Sequence, residues 1–487
     1  MNVSPVHSRD LGRMALAVLI AFALAALSAA YWGVLRAEDL RARDDNARSV
    51  LAEQRIARGA ILDRTGEPLA LSEQGAGGLM VRRYPHPAAA SAVGYYSLTY
   101  GTAGIEAAYD GVLRGDEGRG ELDTLLDELL HRSPAGSDVR ATLDLGVQEA
   151  VVAALEGRAG AAVVLDAATG GVLALASLPG YDPNVLDAQW DALAADRAAS
   201  PLLNRATAGL YQPGGAFQTV VLTALLGAQS DLSDGGERVL SRAVEEGSAP
   251  VAVNGLTLEC ASTPAGDVLT LLDAYAFGCP AAFAAVFDAG LTADLLWERL
   301  RVLGLLNAPA LDGFETAAAR SAQPGSAASD AWLALLTGQG GLTVSPLQVA
   351  QLAAAIANGG NAMPPHLVDA VRKPEASDWQ AVTGARQPAA MLRAEVARAL
   401  ERAMGYAAGA NPATQQAQGD GYALFGHSAL AYAGPDETPY AWFVGFARSS
   451  EGQGAGTTVA VVIVEDERDP AVAARIAGAA FAAAYEG

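Results

Sequence analysis

The sequence predicts an α+β protein tethered by an amino-terminal transmembrane helix, with a small mixed module ahead of a larger domain built on one mostly antiparallel sheet. Three observations carry this reading. Residues 14–35 contain no charged side chain. Apolar runs with strand character come as a pair near residue 160 and as three more after residue 420, with a long Ala- and Leu-rich helical stretch between them. The chain of 487 residues is too long for one ordinary domain, and its 51% apolar and 18% charged content is globular.

At about 1.5 Å per residue, a helix over residues 14–35 reaches about 33 Å, enough for the roughly 30 Å hydrocarbon core of a bilayer. Arg13 and Arg36 bracket it, and Tyr31 and Trp32 stand where interfacial aromatic anchors belong. Arg9 and Arg13, against one Asp10, put residues 1–13 in the cytoplasm and the bulk of the chain outside a cell membrane. The alternative is a cleaved signal peptide, with Ser28-Ala29-Ala30 near the cleavage point, but the apolar run exceeds the usual core of about 7–15 residues.

Residues 37–55 are charged and helix-permissive, and read as a stalk. A short apolar strand then leads into the turn Asp63-Arg64-Thr65-Gly66. Residues 93–109 are loop-rich. Residues 121–138 are acidic and contain Ser133-Pro134-Ala135-Gly136-Ser137, a boundary signal. The small module is therefore expected over 36–140 and the larger domain over 141–487.

In the larger part, residues 145–158 have helical spacing, and residues 160–177 form two apolar runs around an Asp166-Ala167-Ala168-Thr169-Gly170-Gly171 turn. Residues 200–405 read as mostly helical, residues 422–432, 440–447 and 457–465 as strands, and residues 469–485 as a closing helix. The simplest packing is a five-stranded sheet covered by helices.

Charge narrows the function. With 54 acidic and 32 basic residues, net −22, the chain lacks the surface that neutralises nucleic-acid phosphates. Of the basic residues 31 are arginine, and the one lysine is Lys373. A catalytic lysine elsewhere is excluded. Two cysteines, Cys260 and Cys279, rule out a cysteine-based zinc or iron–sulfur site. Outside the cytoplasm they either pair as a disulfide or stay two buried thiols. No metal or other cofactor is expected.

Several phrases, in one order, resemble the class B penicillin-binding proteins, the single-span peptidoglycan DD-transpeptidases. Arg58-Gly59, Asp63-Arg64-Thr65-Gly66 and Leu69-Ala70 resemble the opening box of that family's non-catalytic pedestal domain, and Gly104-Ile105-Glu106 with Tyr109-Asp110 its second. Thr142-Leu143-Asp144, Gln148 and Ser177-Leu178-Pro179-Gly180 resemble the start of the transpeptidase domain. Gly338-Gln339-Gly340, Ser345-Pro346-Leu347-Gln348 and Pro365-His366-Leu367-Val368 are the most distinctive, and Trp442-Phe443-Val444-Gly445 fits the fourth strand. The resemblance implies a β-lactamase-like fold and acyl transfer by three motifs.

All three motifs are empty here. In Ser-x-x-Lys a helix-borne serine attacks a carbonyl and a lysine one turn on takes its proton. Gly215 stands for the serine and Gln218 for the lysine, and neither can do that work. Thr219 carries a hydroxyl but lies roughly 40° around the helix. In the place of Ser-x-Asn stand Gly278 and Pro280, with Cys279 between them and no nearby base to activate its thiol. In the place of Lys-Thr-Gly stand His427, Ser428 and Ala429, and Leu430 is expected to push bulk into the groove. Gly426-His427-Ser428-Ala429-Leu430 also half-matches a Gly-x-Ser-x-Gly elbow, without its last glycine. The plain alternative for His427 and Ser428 is an edge-of-sheet pair facing solvent or the groove.

The resemblance, so emptied, implies a membrane-anchored pseudoenzyme that acts as scaffold or regulator beside cell-wall synthesis or division proteins. Backbone N–H groups at Gly215 and Leu430 hold the places of an oxyanion hole, so a residual groove could take a peptidoglycan stem peptide or β-lactam non-covalently. Residual transpeptidase or carboxypeptidase activity would need Ser428, Thr219 or Cys279 as nucleophile.

Overall fold

The computed structural model describes residues 5–32, 36, 53–117, 135–286, 291–320, 330–374, 376–382, 386–433, 437–450 and 456–486. Residues 33–35 of the expected membrane span, 37–52 of the stalk and 121–134 of the acidic stretch lie outside them.

In chain order the elements used below are helix α1 (Pro5–Ala30), strands β1 (Ile61–Leu62), β2 (Pro68–Gln74), β3 (Met80–Arg83) and β4 (Asp138–Ala141), helix α2 (Leu145–Leu155), strands β5 (Gly160–Asp166) and β6 (Val172–Leu178), helices α3 (Gln218–Gly227), α4 (Leu271–Phe277) and α5 (Pro346–Ala357), strands β7 (Val368–Arg372) and β8 (Gln380–Ala381), helix α6 (Ala394–Ala410), strands β9 (Tyr422–Ala433), β10 (Thr438–Ser449) and β11 (Thr457–Glu465), and helix α7 (Pro470–Glu486).

Helix α1 carries the apolar segment Gly12–Ala30, with mean hydropathy 2.1 and none of it buried against the protein. It is the one described helix long and apolar enough to cross a bilayer.

The central sheet has the order β9-β10-β11-β5-β6, antiparallel throughout. Its strands are buried on both faces. On one face Val164, Ala176, Phe443 and Val462 pack with Val151 of α2 and Ile476 and Phe481 of α7. On the other, Val163, Trp442, Val461 and Ile463 pack against α3, α5 and α6. Continuous apolar runs are what two-sided burial demands.

A second, six-stranded sheet has the order β8-β7-β4-β1-β2-β3. Strand β7 comes from the stretch expected to be helical. It pairs antiparallel with β4, while β1 lies parallel to the other edge of β4. Two cross-strand ion pairs, Arg140–Asp369 at 3.1 Å and Arg372–Asp138 at 2.7 Å, fix this register, and Trp379 lies under both guanidiniums. The strand was hidden from periodicity because it is five residues long and half polar. Strand β4 itself straddles position 140.

The quoted phrases have structural work. Arg58 donates to Glu106 at 2.8 Å and to Asp110 at 2.7 Å, and Arg82 donates to the other Glu106 oxygen at 2.6 Å. Glu106 is wholly buried. Asp63 Oδ1 accepts from the Thr65, Gly66 and Glu67 amides and the Thr65 hydroxyl. Ser345 and Gln348 form a capping box that starts α5, with Pro346 in the first turn.

Candidate functional site

The segments bearing the three motif positions meet at the β9 edge of the central sheet. Their approach is set by side chains whose polar ends are satisfied. The Tyr211 hydroxyl donates to Glu465 at 2.7 Å, and Trp442 Nε1 donates to the Gln212 carbonyl at 3.0 Å. Pro213 then enters a 3-10 turn, Gly214–Phe217, which feeds helix α3, buried from Gln218 to Leu226.

This turn lies directly on β9. Gly214 has φ +49°, and a Cβ on it would stand 2.2 Å from the Leu430 carbonyl oxygen, so only glycine fits. A Cβ on Gly215 would stand 3.1 Å from Ala429 Cβ. Carbon atoms pack at about 3.5–4.0 Å. The strand and the turn therefore lie close together at this point. Gly215 and Leu430, the positions expected to line a residual groove, lie on two segments that meet here.

His427 adds a second contact between the strand and the turn. Its Nε2 lies 3.1 Å from the Gly215 carbonyl, which can only accept, so Nε2 carries the proton. The ring stacks on Tyr275, centroids 4.3 Å apart and planes at 17°. Nδ1 has no partner. Burial lowers the His427 pKa to about 4, against a smaller opposing effect of the Gly215 carbonyl, so the ring is neutral at pH 7.

Gln218 is buried. Its Nε2 donates to the Cys279 carbonyl at 3.3 Å and its Oε1 is unpartnered. Gly278 ends α4 in the left-handed region, φ 65°, where a Cβ would stand 2.8 Å from Ala261 Cβ. Pro280 opens the short helix Pro280–Ala284, capped by Cys279. Cys279 is joined to Cys260, S–S 2.07 Å.

Side-chain direction corrects two expectations. His427, Ala429 and Ala431 face α3, whereas Ser428 and Leu430 alternate to the other face of β9, where Leu430 packs partly buried against the α7 cluster. Leu430 puts no bulk into the groove. His427 and Ser428 are wholly buried and face no solvent.

The other candidate nucleophiles have these surroundings among the described residues. Thr219 Oγ1 is 3.1 Å from the Tyr275 hydroxyl, a phenol that burial pushes above its ordinary pKa. Ser428 Oγ is buried without a partner. Cys279 is held in the disulfide.

Sequence reasoning missed Tyr275, which supplies the surface His427 lies on. It also missed Asn411, whose Nδ2 donates to the Ala276 carbonyl at 2.7 Å and whose Oδ1 accepts from Ser262 at 2.9 Å. A polar residue directly after a long amphipathic helix was the available signal.

The family model of the penicillin-binding protein transpeptidase domain matches residues 160–263 and 305–484, and that of the penicillin-binding protein A dimerisation domain matches residues 58–139. The chain belongs to the penicillin-binding protein transpeptidase family. Among relatives of this class B penicillin-binding protein, the peptidoglycan D,D-transpeptidase PbpA of Mycolicibacterium smegmatis is 32% identical over 505 residues, covering 98% of each chain. The PbpA of Mycobacterium tuberculosis is 31% identical over 509 residues, covering 98% of this chain and 99% of its own. The structure of penicillin-binding protein A from M. tuberculosis as an imipenem acyl-enzyme complex aligns with TM-score 0.77 at 30% identity, over 89% of this chain and 99% of that one.

Proposed function

We propose that this penicillin-binding protein works in peptidoglycan synthesis without acyl transfer, as a scaffold or regulator held at the bacterial cell membrane by α1. The bulk of the chain would lie outside the cytoplasm, beside the active synthases it assists. One observation carries the reading: Gly215 stands in the nucleophile's place, and a glycine offers no side-chain atom to attack a carbonyl. The neutral Gln218 and His427 in the two lysine positions support it, since neither offers a cation to a peptide carboxylate. The 36–140 and 141–487 division would then separate a partner-binding pedestal from a structural transpeptidase-like body.

The test is labelling of membranes with a fluorescent penicillin. No covalent band is expected at 49.6 kDa. A band that survives boiling in detergent and disappears when Thr219, Ser428 or Cys279 is replaced by alanine would overturn the proposal and establish an unrecognised nucleophile.

A further inference from the structure

A concavity lies apart from the three motif positions. A cleft of about 740 Å³ opens between the amino-terminal module, over residues 87–107, and the larger domain, over residues 177–208 and 313–315. Its lining includes neither Gly215, Gln218, Tyr275 nor His427.

The walls are tied to each other by directed bonds. Asn184 exchanges two hydrogen bonds with the backbone of Tyr84, at 3.0 and 2.9 Å. Asn204 Nδ2 donates to the Ser91 carbonyl at 2.8 Å, and Gln148 Nε2 to the Ala88 carbonyl at 2.8 Å. The cleft is thus preformed, as small-ligand sites at domain junctions usually are.

Its chemistry is selective. Tyr95, Tyr181 and Trp190 form an edge-to-face cluster in the wall, with centroid separations of 5.8 and 6.1 Å. Tyr100 covers one face of Trp190, at 4.2 Å and 10°, and does not itself line the cleft, so Trp190 presents its remaining surface there. Asp182 and Glu315 are the ionisable carboxylates of the lining, and no Lys, Arg or His lines it among the described residues. Thr207, also in the wall, has a buried hydroxyl without a hydrogen-bond partner.

Flat aromatic surface beside carboxylate and amide acceptors suits a ring with an apolar face and a rim of hydroxyl donors. Two carboxylates with no nearby cation repel an anion. The volume exceeds what one sugar ring fills. We propose that this interdomain cleft binds a neutral oligosaccharide, stacked on the Tyr95–Tyr181–Trp190 wall and hydrogen-bonded to Asp182 and Glu315. A ligand there touches both domains, so its binding would stiffen their junction.

The probe is chitotetraose, titrated calorimetrically into the full-length chain in detergent, with oligogalacturonate of the same length as the anionic control. Saturable binding of chitotetraose is expected, with the anionic control at least tenfold weaker. Trp190→Ala should weaken it about tenfold. Ala107→Trp, which fills the cleft from the opposite wall, should abolish it while leaving the melting temperature of the free protein near wild type. His427→Phe should leave the affinity unchanged, which separates this site from the motif positions. Absence of binding to the wild-type chain, binding that survives Ala107→Trp, or equal affinity for oligogalacturonate would each overturn the assignment.

Discussion

A buried neutral histidine makes stability depend on pH in a calculable way. The His427 ring is enclosed by the Tyr275 ring and the Gly215 turn, and its pKa is lowered from the ordinary 6.5 to about 4. Between those values the unfolded chain binds a proton that the folded chain does not. Folding stability therefore rises with pH across this window, by about 1.4 kcal/mol per pH unit. The contribution is fully present above 6.5 and is lost as pH falls towards about 4, a total of about 3 kcal/mol. His427→Phe keeps a ring against Tyr275 and removes the titration. Other acid-sensitive groups are common to both proteins. Asp63, for example, is pushed up by burial but held below its ordinary value by stronger hydrogen bonding from Thr65 and Glu67, and so also loses stability as pH falls. The difference between wild type and variant isolates the histidine. Urea midpoints, followed by tryptophan fluorescence at several pH values from about 7 to 4.5, should show the wild-type advantage shrinking by about 2–3 kcal/mol. Parallel curves would mean that the proton enters the folded ring freely, and the enclosed-site description would fail.

Three further outcomes follow from the same geometry. The double substitution Gly215→Ser with Gln218→Lys should not restore labelling by fluorescent penicillin, because the serine Cβ would sit tightly against Ala429 and Gly278, Pro280 and His427 still stand in the other two motif places; a labelled band in that variant would show that the first motif alone suffices for acylation. Glu106→Ala removes the buried carboxylate that Arg58 and Arg82 share, leaving Asp110 to Arg58 and the Gly59 carbonyl to Arg82, and should cost up to about 3–5 kcal/mol in chemical unfolding, with a loss under about 1 kcal/mol counting against the ion cluster. Cys260→Ser with Cys279→Ser opens a loop of sequence separation 19, which in the chain-entropy account removes about 3 kcal/mol, read as a lower melting temperature that reductant no longer changes.

Much of the fold was legible because burial leaves a periodic mark. The runs at 160–177 and 457–465 are apolar on both faces, and they became β5, β6 and β11 at the centre of the sheet. Strand β7 was not legible, since its pairing with β4 is decided by Arg140, Asp369 and Trp379, residues far apart in the chain. At the site the empty positions could be read directly, because Gly215 and Gln218 are what they are in any conformation. The contact of the turn with β9 could not. It depends on Gly214 tolerating contact with Leu430, and on Ala429 being small enough to let β9 approach. Nor could the direction of Leu430 be read without the pleat of β9, which decides which alternate residues face α3.

Neutral side chains at Gln218 and His427 suit the close approach of the turn to β9. A lysine beside the nucleophile and another on β9 would be two like charges facing an apolar wall, and such charges keep a site hydrated and apart. With Gln218 and His427 in those places the charge is gone, and the enclosure of neutral groups costs far less than that of ions. Small residues then complete the contact, with Gly214 and Gly215 on the turn and Ala429 and Ala431 on the strand. What remains unsatisfied is modest: Gln218 Oε1, His427 Nδ1 and Ser428 Oγ. These orphaned atoms still count against stability, at about 1–3 kcal/mol each. Replacing Gln218 with leucine should therefore stabilise the chain against urea. On the proposed role without acyl transfer the change costs no function, and a lower urea midpoint would show that the Gln218 bond to the Cys279 carbonyl outweighs the orphaned oxygen.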